Sequence, residues 1–181
     1  MINILTGPVH SGKTTLLRDT VSVLSEKNLK IDGYLSEAVW ENKEFIGYDQ
    51  VDLKEQIRHP FIRKHGREDW QRIGPFYFLP GTLDAAKKII RRGKKEDICI
   101  VDEVGPLELK GMGVWPALEE LLTTPGQNAL LVVRDSILKE FIGNFQKHHF
   151  VVYDISQNRS PDLFAGSLLR DIEERKKTGQ K

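Results

Sequence analysis

Gly7-Pro8-Val9-His10-Ser11-Gly12-Lys13-Thr14 is the stretch that decides the fold. It has the spacing G-x-x-x-x-G-K-[ST]. Two glycines let the backbone curl until successive N–H groups point at one anion. Lys13 is then in reach of the β- and γ-phosphates of a nucleotide, and the Thr14 hydroxyl is suited to ligate Mg²⁺. Ile2-Asn3-Ile4-Leu5 before the loop is short and apolar enough for a buried strand. The run from Thr14 to Lys27 after it carries Leu17, Val21 and Leu24 on one helical face. Strand, glycine loop, helix is the order this chemistry demands, because the helix N-terminus adds its partial positive charge to the site. Gly7 to Thr14, with Thr15 in the turn that follows, are therefore the expected phosphate contacts. A plain glycine turn with a surface lysine would not need those flanking elements.

At 181 residues the chain suits one domain, 1–181, with room for a real core. Its 39% hydrophobic and 29% charged residues are those of a soluble globular protein. A formal net charge of +1 gives no global pull towards nucleic acid or an anionic membrane, so no specific nucleic-acid partner is expected. No apolar run approaches membrane-spanning length, and Met1-Ile2-Asn3-Ile4 lacks the basic start and long apolar stretch of a signal peptide. The single cysteine, Cys99, lies in an apolar run and reads as an inert core residue. A cytoplasmic location is the expectation. The sequence does not fix the oligomeric state, with a monomer slightly favoured.

Further along, Leu29 to Trp40 and Phe45 to Leu53 read as the strands of a β-hairpin, with the polar break Glu41-Asn42-Lys43-Glu44 between them. Lys54 to Arg72 is polar and mostly basic and reads as a loop or mobile lid. Ile73 to Leu79 reads as one strand. Thr82 is placed to cap a helix from Leu83 to about Arg92, ended by Gly93. Asp97 to Val101 is a short strand, Val114 to Leu122 a helix with Pro116 in its first turn, and Asn128 to Val133 a buried parallel strand. Ser136 to Phe145 follows as a helix, Phe150 to Tyr153 as a strand and Pro161 to Lys176 as a helix, with residues 177–181 a frayed tail. Outside the hairpin, the alternation predicts an α/β fold with a mostly parallel sheet between helices.

Cys99-Ile100-Val101-Asp102-Glu103 ends a buried strand in two carboxylates. An acid there faces the crevice where open α/β sheets bind ligands. Asp102 is suited to hold Mg²⁺, directly or through water. Glu103, one residue on, points elsewhere and is suited to polarise a water for in-line attack on the γ-phosphorus. Taken alone, it would equally be a solvated strand-end carboxylate.

Asp102-Glu103-Val104-Gly105-Pro106-Leu107-Glu108-Leu109 resembles the D-E-[IV]-G-x-[ML]-E-[LF] signature of a small family of P-loop nucleoside triphosphatases, the THEP-type and cancer-related enzymes. Gly47 to Leu53, Arg72 to Tyr77, Val133-Arg134-Asp135-Ser136 and Gln157-Asn158-Arg159 are similar to other family stretches in the same order, so the resemblance covers nearly the whole chain. It implies a RecA-like P-loop fold with an antiparallel β-hairpin extension. It also implies slow, Mg²⁺-dependent hydrolysis of ATP, GTP and other nucleoside triphosphates to the diphosphate and phosphate, with little base selectivity. Pro106 departs from the family, which often has lysine there.

Lesser candidates each carry two readings. Arg134, at a strand end, is suited to sense a γ-phosphate or stabilise transition-state charge, or else it pairs locally with Asp135. Asn158 and Arg159 are placed to contact a base, by hydrogen bonding and stacking, or are plain turn residues. The basic segment Arg58 to Arg72 supplies an arginine finger, a partner site or only a solvated surface. His10 lies near a triphosphate but chiefly shapes its loop. Trp70 and Trp115 stack on a base or pack the interior. Glu108 orients waters at the metal or is a first-turn helix acid. Two other functions fit the scaffold. One is a small-molecule or nucleotide kinase, with Asp32, Glu37 or Asp49 as base. The other is a nucleotide-dependent switch or adaptor, although no Asn-Lys-x-Asp motif for guanine occurs.

Overall fold

A computed structural model describes residues 2–145 and 147–178. In chain order the elements are β1 (Ile2–Gly7), α1 (Lys13–Glu26), β2 (Ile31–Glu41), β3 (Glu44–Asp52), β4 (Arg58–Arg63), β5 (Arg72–Ile73), β6 (Phe76–Phe78), α2 (Thr82–Gly93), β7 (Ile98–Val104), α3 (Pro106–Leu109), α4 (Trp115–Thr123), β8 (Ala129–Arg134), α5 (Asp135–Asn144), β9 (Phe150–Asp154) and α6 (Pro161–Thr178). All the strands join one sheet, in the order β5-β6-β4-β3-β2-β7-β8-β1-β9.

The half from β2 to β9 is parallel throughout. Its inner strands are continuous apolar runs because both faces are covered. Successive residues point to opposite faces, so Ile4, Val101 and Leu131 pack under α2, α4 and α5 with Ile90, Leu118 and Phe141. Leu5, Ile100 and Leu130 pack on the other side under α1 and α6 with Leu17, Leu24, Phe164 and Leu168. Gly93 ends α2 where a Cβ would come 2.5 Å from the Cys99 sulfur, so the glycine serves close approach of helix and sheet. β8 lies between β1 and β7, which separates the strand of the phosphate loop from the acidic strand.

The other half is antiparallel and larger than the expected hairpin. The hairpin itself forms as read: β2 and β3 meet at Asn42 and Lys43, both with positive φ (49° and 66°), as a two-residue type I′ turn requires. The segment read as a loop or lid instead holds β4, paired along β3. The cause is a short apolar core inside a basic stretch. Phe61 is 7% exposed and packs on Tyr34 and Phe78. The flanking cations meet carboxylates on β2 and β3, Arg58 with Glu37 and Arg63 with Asp49. Pro60 is accommodated at the register shift beside Asp49.

The single strand expected at 73–79 is two short strands, β5 and β6, folded back at Gly74 (φ 53°). α2 is capped by left-handed Gly81 rather than by Thr82, whose hydroxyl donates back to the Leu79 carbonyl at 2.7 Å. α6 includes residues 177 and 178, and the rest of the expected frayed tail, 179–181, lies outside the described residues. Among the described residues no helix is long and apolar enough to cross a membrane.

The turn after β7 depends on one carboxylate. Glu108 is 6% exposed; one oxygen accepts the Gly105 N–H at 2.9 Å and the other the Val114 N–H at 3.0 Å. Burial pushes its pKa up, against the pull of those N–H donors. Glutamine has only one acceptor oxygen, so Glu108→Gln strands one buried N–H. A loss of about 1–3 kcal/mol is expected, read as a lower urea midpoint at unchanged slope.

Candidate active site

Between β1 and α1 the chain curls as the glycine spacing predicts. Gly12 caps α1 in the left-handed region (φ 93°), and no side chain caps that helix. Gly7 has φ 149°, and a Cβ there would lie 2.5 Å from the Ile155 side chain after β9. His10 also has positive φ (61°) and sets its ring edge-on to Phe45. Lys13, 7% exposed, turns its ammonium back into the loop and donates to the carbonyls of Gly7 (2.9 Å) and Pro8 (2.5 Å). Burial lowers its pKa, although Glu103 and Asp102 pull the other way.

Asp102 lies at the end of β7 and is 1% exposed. One of its oxygens accepts both the Thr14 hydroxyl (2.9 Å) and the Ser36 N–H (3.0 Å). The Ser36 hydroxyl in turn donates to the Asp102 carbonyl. Burial pushes the carboxyl up to about 7, with the Ser36 N–H opposing. The register between β7 and β8 then jumps: Val101 is opposite Leu131, but Val104 is opposite Val133. Two residues face one, which is a β-bulge, a device that re-aims a side chain. Its second residue, Glu103, has φ 81°, a conformation costing a non-glycine residue roughly 1–3 kcal/mol. The bulge brings the Glu103 carboxylate to the end of β8, where the Arg134 guanidinium pairs with it. The local partner expected for Arg134, Asp135, instead accepts the N–H of Ser136.

Residues 9–15 of the loop, Ser36, Tyr48, Arg58, Glu103 and Arg134 line a cavity of about 400 Å³. Lys13, Thr14, Glu103 and Arg134 thus meet in one place, with Asp102 hydrogen-bonded to Thr14 at its edge. Gly7 and Pro8 are not on its wall; their carbonyls hold Lys13. Asn158 and Arg159 are not on it either, and the Asn158 amide is taken up by the Asp154 carbonyl at 2.9 Å.

Two further cations line the cavity, Arg18 and Arg58, and both pair with Glu37; Arg58 opens the basic segment that reads as a candidate arginine finger, whereas Arg18 is not among the sequence candidates. Arg18 was accessible to reasoning, one helical turn after Thr14. The place of Arg58 on the cavity wall depends on the β3–β4 pairing. Trp115 is core, stacked on Phe145 at 4.1 Å. Of the acids considered as kinase bases, Asp32 is fully buried and held by Arg92, and Asp49 is held by Arg63. Glu108 is committed to the turn after β7.

A glycine loop feeding a helix, in a parallel sheet whose acidic strand, one strand removed from the loop's own, returns a buried aspartate to the loop's threonine, defines a RecA-like P-loop nucleotide-binding fold. The chain belongs to the NTPase family, whose model matches residues 3–166. It is 32% identical over 163 residues to the nucleoside-triphosphatase THEP1 of Methanopyrus kandleri, covering 88% of this chain and 82% of that one. It is 31% identical over 132 residues to a mouse cancer-related nucleoside-triphosphatase homolog, covering 67% and 69%. The solution structure of a human cancer-related nucleoside triphosphatase superposes with a TM-score of 0.72 at 25% identity, over 94% of this chain and 96% of that one.

Proposed function

We propose that this chain, acting as a single domain in the cytoplasm, hydrolyses nucleoside triphosphates, ATP and GTP among them, to the diphosphate and phosphate. The reaction is slow, has little base selectivity and uses Mg²⁺. The observation that carries the reading is the 2.9 Å contact of the Thr14 hydroxyl with the Asp102 carboxylate beside a cavity that also holds Lys13, Glu103 and Arg134. The family membership supports the same conclusion.

Thr14 and Asp102 fit Mg²⁺ as two adjacent hard oxygen donors. Among the described residues no cluster of three or more His, Cys, Asp or Glu could hold a metal unaided. That suits an ion carried in by phosphates and ligated by one or two protein oxygens. Bound there, Mg²⁺ supplies charge neutralisation to the phosphates.

The loop amides and Lys13 bind the triphosphate, Lys13 leaving the Gly7 and Pro8 carbonyls to do so. A γ-phosphate competes with Glu103 for the Arg134 guanidinium. Arg134 then stabilises the developing charge, and Glu103, freed of its partner, takes the proton of the attacking water. Asn158 and Arg159, in the loop that follows Ile155, whose side chain lies against Gly7, serve as the base contact, loose enough to accept any base.

The test is Mg²⁺-dependent phosphate release from ATP, GTP, CTP and UTP by the full chain. All four are expected to be hydrolysed, and EDTA to stop the reaction. Release restricted to one base would overturn the specificity, and release indifferent to EDTA would overturn the metal.

A further inference from the structure

A second cavity, of about 370 Å³, opens on the other side of Glu103. That is within the usual range of small-molecule sites, roughly 300–1,000 Å³. It shares Ser36, Tyr48, Glu103 and Arg134 with the phosphate-loop cavity, so Glu103 stands at the junction of the two. Away from that junction the walls are apolar and largely aromatic: Phe61, Ile73, Phe76, Phe78 and Leu83. The other carboxylate on the wall, Glu108, has both oxygens occupied by backbone N–H groups.

Hydrolysis needs room for one water at Glu103. It does not need an apolar chamber, and the parallel half of the sheet does not build one. The chamber is built largely by the antiparallel strands β2, β3, β4 and β6, the β5–β6 turn and the start of α2. We propose that it binds a small alcohol with an aromatic or other apolar body, and that the chain transfers the γ-phosphoryl group of the nucleotide to that alcohol. The apolar body fills the chamber and the hydroxyl reaches the junction, where the polar groups are gathered.

The proposal rests on the nucleoside-triphosphate reading above. In the transfer, the hydroxyl oxygen forms a bond to the γ-phosphorus as the bond from that phosphorus to the β–γ bridging oxygen breaks. The hydroxyl proton goes to the Glu103 carboxylate. The products are the phosphate monoester and the nucleoside diphosphate. Water reaching the same position gives inorganic phosphate, which makes hydrolysis the side branch of transfer.

The test incubates the full chain with Mg²⁺, γ-labelled ATP and increasing benzyl alcohol, phenylethanol or naphthylmethanol, and separates labelled ester from labelled phosphate. With at least one alcohol, ester is expected to rise saturably at the expense of phosphate. Leu83→Trp and Ile73→Trp, which fill the chamber far from the loop, should each cut ester formation about tenfold or more while acceptor-free phosphate release stays within about twofold. That release also reports that the variants fold. Inorganic phosphate as the only labelled product with every alcohol overturns the proposal, as does undiminished ester formation in both variants. Phosphate release without alcohol reads the hydrolase assignment separately, so ester without such release would sink that assignment and leave the transfer standing.

Discussion

Glu103→Gln is expected to lower nucleoside-triphosphate turnover by about 10²–10³-fold while nucleotide affinity stays within a few-fold, in line with the usual worth of a general base. Glutamine keeps the size of the side chain and one oxygen for Arg134, so the bulge and the cavity wall persist. It removes the proton acceptor. Both partners of the Glu103–Arg134 pair are about one-third exposed, and such pairs contribute little to stability, about 0–1 kcal/mol. The loss should therefore be in chemistry and not in folding. Single-turnover phosphate release, set against binding of a fluorescent nucleotide analogue and the thermal midpoint, separates these effects. Turnover equal to the parent would remove Glu103 from the role of base.

Lys13→Ala is expected to cut kcat/KM by about 10³-fold, the loss falling on binding and turnover together. The Lys13 ammonium is a nearly buried cation seated on two loop carbonyls, and nothing else in the phosphate loop carries a full charge. Its removal leaves the loop itself only backbone amides and the helix N-terminus with which to meet the proposed phosphates. Lys13→Arg should not restore function, because a planar guanidinium cannot occupy the pocket that holds a compact ammonium between the carbonyls of Gly7 and Pro8. Steady-state kinetics on both variants, with a circular dichroism spectrum as the folding control, decide the matter. Activity retained by Lys13→Ala would displace the loop from the centre of the site.

Much of this site could be read from the chain because its signals are local. Gly7, Gly12, Lys13 and Thr14 stand within one short loop, and Ile98 to Asp102 form a single apolar run ending in an acid. Spacing alone marks those residues as the candidate phosphate and metal contacts, and the structure sets Lys13 and Thr14 on one cavity with Asp102 hydrogen-bonded to Thr14. What escaped depends on residues far apart in sequence. β4 is hidden because its apolar core is Phe61 and Ile62 alone, and its cations are neutralised only once Glu37 and Asp49 are beside them. The pairing of Arg134 with Glu103 needs β8 to lie next to β7 and the bulge to turn the carboxylate, and neither has a sequence signature. Glu108 reads in the sequence as a candidate to orient waters at a metal or as a first-turn helix acid, whereas its two N–H partners become visible only when the turn after β7 is folded. The apolar chamber needs the whole antiparallel half to exist.

One consequence follows from the place of β2. Among the described residues it is the single strand hydrogen-bonded to both halves of the sheet, parallel to β7 on one edge and antiparallel to β3 on the other. The parallel half carries the phosphate loop, Asp102 and Arg134; the antiparallel half carries most of the chamber wall. The molecule is thus divided along one seam, which Tyr48 and Arg58 cross to line the phosphate-loop cavity. The register that brings Asp102 to Thr14 is set by β2, β7, β8 and β1, so a change of aromatic in β4 or β6 alters the chamber and leaves that register in place. The edge of the sheet thus shapes what can lie beside Glu103, and its centre fixes where Glu103 stands.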